Sequence, residues 1–174
     1  MPIIRSRNIP IYLGTFVITV LASLVLTLAR SVYVHRQAVF VSAASNGNLV
    51  LMRGLEVLGV DVNAPACKHQ NCILPLVGAA WNGQRETALF LIERGADVNE
   101  GGRFDKTPLM MASYCGETEV VKLLLAKGAD VNLTNSDGES ALSFAKQKKQ
   151  SSVIRLLREA GAKELSSQAC GLSE

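Results

Sequence analysis

Apolar and polar positions follow two different rules along this chain. From Ile9 to Ala29 it carries no charge, and five Leu, three Ile, three Val and one Phe lie in that run. No polar face interrupts the run, so it does not read as a helix half-buried on a globular domain. A helix of that length measures about 31 Å, the thickness of a bilayer's hydrocarbon core. Pro10 falls in its first turn, where a missing N–H costs little. Arg5 and Arg7 precede the run, and Arg30 and Arg36 follow it. The expectation is a basic segment over 1–8, a transmembrane helix (signal anchor) over 9–29 and a juxtamembrane linker over 30–37. A cleaved secretory signal competes with it, because Thr27 and Ala29 are small enough to precede a cleavage site. Against cleavage, a signal's apolar stretch is typically about 7–15 residues. Arg30 would also stand directly after the cut. Counting flanking arginines favours, slightly, an N-in orientation with the remainder outside the cytoplasm.

Beyond residue 37 the pattern becomes periodic. In Glu119-Val120-Val121-Lys122-Leu123-Leu124-Leu125 the apolar residues recur at i, i+3, i+4 with charges between them, which predicts an amphipathic helix. Gly128 then follows as a residue able to take positive φ past the helix end. The same phrase returns at a nearly fixed distance. Gly59-Val60-Asp61-Val62-Asn63, Gly95-Ala96-Asp97-Val98-Asn99 and Gly128-Ala129-Asp130-Val131-Asn132 are near-copies, and Gly161-Ala162-Lys163-Glu164 begins a fourth. The last three of these glycines are evenly spaced, and only the first interval is longer, by three positions. Twelve positions before each stands an earlier landmark: Gly47, Gly83, Gly116 and, altered, Lys149. Leu74-Pro75-Leu76, Thr107-Pro108-Leu109 and Ser140-Ala141-Leu142 come before the last three of these. A helix pair of this size cannot bury its apolar face alone, so such copies must stack.

These landmarks resemble the ankyrin repeat family, whose pattern runs Thr-Pro-Leu-His-x-Ala-Ala, then Gly, then an apolar helix, then Gly-Ala-Asp-Val-Asn. The copy Thr107 to Asn132 is close throughout, with Met110 where the family has His. The copy Leu74 to Asn99 keeps Pro75, Ala79, Ala80 and Gly83; the copy Ala38 to Asn63 lacks Thr-Pro and carries Gly54 in its second helix. The resemblance implies an all-α ankyrin-repeat solenoid over 38–164, with units at 38–63, 74–99, 107–132 and 140–164, a cysteine-containing insert at 64–73 and a tail at 165–174. It also implies a non-catalytic module that meets a protein partner through its fingers and the open side of each first helix. Carried over position by position, the partner-binding candidates are Trp81 and Asn82, then Tyr114, with Arg103 and Phe104 from the intervening finger. Gly102 and Asp105 depart from the family there, standing where Asp and Gly are usual.

Composition narrows the chemistry. Residues 1–37 carry four Arg and no acid, while the remainder carries 14 basic and 15 acidic residues, a net −1. A near-neutral body has no basic stripe to displace phosphate counterions, so nucleic acid is not an expected partner. Nucleotide loops, zinc-protease helices and nucleophile elbows are absent from the sequence. No catalytic residue, cofactor or small-molecule substrate is therefore expected. Asp61, Asp97 and Asp130 recur at the repeat period and read as turn-formers. The insert holds Cys67, His69 and Cys72. A redox-active pair usually has two residues between its cysteines, not four. A Cys67–Cys72 disulfide, a metal site using all three and a pair of free thiols remain, the disulfide being favoured if the domain lies outside the cytoplasm and free thiols if it lies inside. Three functions are then open: a membrane-anchored interaction module with its repeats on the periplasmic side of an envelope that the resemblance, not the composition, implies to be bacterial, a soluble periplasmic or secreted repeat protein that regulates an enzyme, and a small metal-binding protein centred on the cysteine loop.

Overall fold

The computed structural model describes residues 9–68 and 71–164; among these, the side chains of residues 9–22, 28, 68 and 71 are not described. Helix α1 spans Ile9–Ser45. Then come α2 (Leu49–Val57), strands β1 (Ala66–Lys68) and β2 (Asn71–Ile73), α3 (Pro75–Trp81), α4 (Arg85–Glu93), a 3-10 turn (Arg103–Asp105), α5 (Pro108–Cys115), α6 (Thr118–Ala126), α7 (Ala141–Gln147) and α8 (Ser151–Glu159). The chain divides into two compact units, Met1–His35 and Arg36–Glu174.

In the first unit, residues 9–35 are helical. Leu24, Val25, Leu26, Val32, Tyr33 and Val34 are exposed. Among the described residues no helix is long and apolar enough to cross a membrane. The expected span 9–29 falls mostly on positions whose side chains lie outside the description. The expected linker over 30–37 is not a linker, because α1 runs through it. Its last residue, Gln37, is buried, and its Nε2 donates to the carbonyls of Asp61 and Ala64 at 2.8 and 2.5 Å. The first finger is thus tied to the first helix of its own copy.

The second unit is a row of four helix pairs. One turn geometry repeats in each. The N–H of Asn48 donates to the carbonyl of Ala43, Gln84 to Ala79, Glu117 to Ala112 and Gln150 to Ala145, at 2.9 Å in every case. The turn needs a left-handed residue one step earlier, supplied by Gly47, Gly83 and Gly116 at φ between 69 and 82°. At the fourth turn the left-handed residue is Lys149, at φ 56°. A second repeating bond closes each pair's far end, where Val60, Ala96, Ala129 and Ala162 donate to Leu55, Leu91, Leu124 and Leu157.

Helices as short as α3 and α4 do not persist alone. Packing between copies holds them. Phe40, Leu76, Leu109 and Leu142 occupy equivalent positions and are all buried, as are Ala43, Ala79, Ala112 and Ala145, whose small side chains let neighbouring helices approach. Two apolar clusters result. One joins the first and second copies around Phe40, Met52, Leu76 and Leu91, and the other joins the second to fourth around Leu109, Val121, Leu142 and Leu157. Thr107 and Ser140 cap α5 and α7, their hydroxyls accepting from Met110 and Ser143 N–H at 3.3 Å.

The fingers are stitched by the recurring Asp and Asn. Asp61, Asp97 and Asp130 each accept from the backbone N–H two positions on, at 2.8–2.9 Å, as their turn-forming role requires. The Asn side chains bond across copies instead. Asn99 Oδ1 accepts from Asp130 N–H at 2.8 Å, and Asn132 Oδ1 accepts from Lys163 N–H at 2.9 Å. The insert departs from the expected all-α fold. Residues 66–68 and 71–73 pair as an antiparallel hairpin, with Cys67 opposite Cys72. The tail 165–174 lies outside the described residues.

An L-residue in the left-handed region costs about 1–2 kcal/mol, part of which glycine returns through its larger freedom when unfolded. Lys149→Gly is accordingly expected to stabilise the stack by about 0.5–1 kcal/mol, raising the midpoint of thermal unfolding by about 2–4 °C. A midpoint that falls would show that Lys149 does something else there.

Candidate functional site

The open side of the first helices and the fingers form a furrow across the second to fourth copies. Its floor is a row of rings. Trp81 and Tyr114 lie 5.7 Å apart between centroids, tilted by 31°, and Tyr114 meets Phe144 edge-on at 5.9 Å. Trp81 and Tyr114 hold the same position in adjacent copies, so equivalent helix ends bring them together. Trp81 is 46% exposed although its ring is stacked on a neighbour. It therefore does not merely seal the seam, since nearly half its surface still faces water.

The finger between α4 and α5 supplies the opposite wall. Phe104 and Asp105 both take positive φ, 59 and 54°. Asp105 does so where the repeat pattern has glycine. Neighbouring contacts hold this conformation. Gly102 N–H donates to Lys106 carbonyl at 3.0 Å, Ser136 N–H donates to Phe104 carbonyl at 3.3 Å, and the Ser136 hydroxyl bonds the Asp105 carboxylate. Glycine is obligatory at 101, since a Cβ there would lie 2.6 Å from the Asp105 carbonyl carbon. The next finger is regular: Asn135 Oδ1 accepts from Asp137 and Glu139 N–H around Gly138. The unusual finger leaves Phe104 51% exposed, facing the furrow.

A cavity of about 400 Å³ opens between these walls, lined by Ile73, Val77, Trp81, Phe104 and Met111 together with Arg103, Lys106, Asn82 and Cys72. A second of about 260 Å³ adjoins it, sharing Trp81, Lys106 and Met111 and adding Tyr114, Glu139 and Phe144. Of the residues expected from the sequence, Trp81, Asn82, Arg103 and Phe104 line the larger cavity and Tyr114 the smaller. Ile73, Val77, Lys106, Met111, Glu139 and Phe144 line the cavities without having been expected from the sequence. Phe144 stands one full repeat after Met111, so the repeat register relates those two to each other.

Cations lie on the rings. The Arg103 guanidinium is 4.4 Å from the Phe104 centroid, Lys106 Nζ lies between Phe104 and Phe144 at 5.9 and 5.5 Å, and Lys148 Nζ is 4.6 Å from Tyr114. Lys148 covers Tyr114, and Lys146 pairs with Glu164. Glu164 also accepts from Arg158 at 3.0 Å, and these two partners hold its carboxyl below the ordinary carboxylate range. Cys115 is a partly buried free thiol; burial first, then the Glu117 charge, pushes its pKa up against the pull of Lys148. It is therefore not an activated nucleophile.

The sulfurs of Cys67 and Cys72 are 2.04 Å apart, a disulfide across the hairpin. Joined to each other, they are not available to a metal, which removes the ligand set Cys67, His69 and Cys72; His69 itself lies outside the described residues, as does Cys170. Among the described residues no cluster of His, Cys, Asp and Glu could hold a metal ion.

A family model for ankyrin repeats, comprising three copies, matches residues 76–168, over half the chain. This chain belongs to the ankyrin-repeat family. No curated protein matches it. The first helix pair, residues 38–63, falls outside the matched span yet shares the turn bonds of the other three ankyrin units. Ankyrin repeats generally mediate contacts between proteins, so a protein partner is implied.

The disulfide closes a ring of about five residues, which the chain-entropy relation values at about 2 kcal/mol. Replacing both Cys67 and Cys72 by Ser is expected to lower stability by about that amount or less in urea unfolding, with the helical circular dichroism unchanged. Loss of helical signal would mean that the hairpin holds up the second ankyrin unit.

Proposed function

We propose that the protein is a non-catalytic, membrane-anchored ankyrin-repeat module that holds a protein partner in the furrow over Trp81, Asn82, Arg103, Phe104 and Tyr114. The carrying observation is that Trp81 and Phe104, 46 and 51% exposed, frame a cavity of about 400 Å³. Trp, Tyr and Arg are the side chains that most often dominate binding energy at interfaces. A photocrosslinking amino acid at position 81 is expected to capture the partner. With the crosslinker moved to the exposed neighbour position 82, Trp81→Ala should weaken capture about tenfold or more while leaving circular dichroism unchanged. Undiminished capture with an intact fold would defeat the assignment of this face.

Two observations support the membrane part of the reading. One is the charge-free stretch Ile9–Ala29. The other is the outer face of α2. Val50, Val57 and Leu58 are 85, 86 and 58% exposed, at positions that carry Glu86, Glu93 and Arg94 in the next copy. An end repeat facing only water needs a polar outer surface. A disulfide in the insert fits repeats held outside a reducing cytoplasm. The second reading is a soluble, exported regulator of an enzyme, freed by cleavage after Ala29. Mass spectrometry of the mature N-terminus separates the two: the anchored reading expects the apolar stretch intact and the protein retained in membranes at alkaline pH. A terminus at Arg30 would sink it.

A further inference from the structure

We infer that the furrow takes an acidic peptide segment, one in which an Asp or Glu side chain stands beside a bulky apolar one. This deepens the reading above and rests on it.

The larger cavity is apolar on most of its walls, through Ile73, Val77, Trp81, Phe104 and Met111. A volume of about 400 Å³ holds a large side chain and part of its backbone. The only charges in that lining are Arg103 and Lys106. No carboxylate lines that cavity, although Glu139 shares the adjoining one with Lys106, and among the described residues neither Arg103, Lys106 nor Lys148 forms an ion pair. On the second helices most basic residues differ: Arg85, Lys122, Arg155 and Arg158, and Arg94 just past α4, each face a glutamate, while Arg53 and Arg94 also lie over the Phe90 ring. At the furrow the cations are held by rings instead, Arg103 on Phe104, Lys106 between Phe104 and Phe144, and Lys148 on Tyr114.

A guanidinium whose carbon lies 4.4 Å from a ring centroid is positioned by that ring before a ligand arrives, and its N–H groups, free of any ion pair, can meet a carboxylate. The acids beside the furrow keep their charge but direct their carboxylates to neutral donors and form no ion pair with these cations: Asp105 accepts from the Ser136 hydroxyl, and Glu139 from the Asn135 amide at 3.2 Å. Charge complementarity therefore favours a carboxylate over a basic segment, and the apolar walls favour a large hydrophobic neighbour. The cations alternate with rings and do not form a continuous stripe, and the body carries a net −1, so the arrangement does not suit a nucleic acid backbone.

The test is selection of a displayed random heptapeptide library on the purified full-length protein in detergent micelles. The expected result is enrichment of sequences with Asp or Glu adjacent to Leu, Phe or Trp. A synthetic peptide of the selected sequence should lose at least tenfold in affinity against the Arg103→Gln/Lys106→Gln variant. It should lose less against Arg103→Lys, which keeps the charge, with circular dichroism confirming that both variants fold. Enrichment of basic or uncharged sequences would overturn the inference, as would acidic peptides whose affinity ignores the double substitution. So would at least tenfold tighter binding when phosphoserine replaces the selected carboxylate, which would point to a phosphorylated partner. No selection at all, with a crosslinker at position 81 still capturing a protein, would reject the acidic segment and leave the furrow's function standing. Failure of both would reject both.

Discussion

Burial at the seams between copies carries this fold. A helix as short as α3 gains too little from its own backbone bonds to offset the entropy of ordering it. Its apolar residues point towards the copies on either side, and only a stack removes them from water. Ala79, Ala112 and Ala145 sit at the closest approaches, while Phe40, Leu76, Leu109 and Leu142 fill the space beside them. Because the same positions do the same work in every copy, the turn and finger bonds recur in register. The open face of the furrow is what remains after the seams are satisfied.

Against that regular frame, the finger over residues 101–106 is the exception, and it is where the cavity lies. A regular finger would place glycine where Asp105 now stands. Two successive left-handed residues re-aim Phe104 and carry Arg103 and Lys106 to the wall of the furrow, while the following finger holds them there through Ser136. Backbone strain of this kind persists only where its surroundings over-determine it, and it concentrates at binding surfaces. The hairpin made by the insert closes the neighbouring edge, with Cys72 and Ile73 in the lining.

The two ends of the row are chemically unlike. The last copy turns Arg155, Arg158 and Glu159 outward, with Glu164 drawn onto Lys146 and Arg158. The first copy turns Val50, Val57 and Leu58 outward instead. Exposed charge suits the last copy to water. Exposed valine and leucine suit the first copy to an apolar neighbour.

Periodicity made most of the architecture legible from the chain alone. The regular return of the turn glycine and of Gly-Ala-Asp-Val-Asn determines where helices stop and which faces must stack, because positive φ and apolar spacing are local properties. The same register places Trp81 beside Tyr114. Three things were decided only in three dimensions. The insert's hairpin depends on cross-strand pairing between residues that no helical period relates. The burial of Gln37, at the end of what reads as a linker, depends on carbonyls in a finger 24 and 27 residues away. The charge of the furrow depends on Arg103, Lys106 and Lys148 finding rings rather than carboxylates, and no sequence distance records which side chain a cation will lie against.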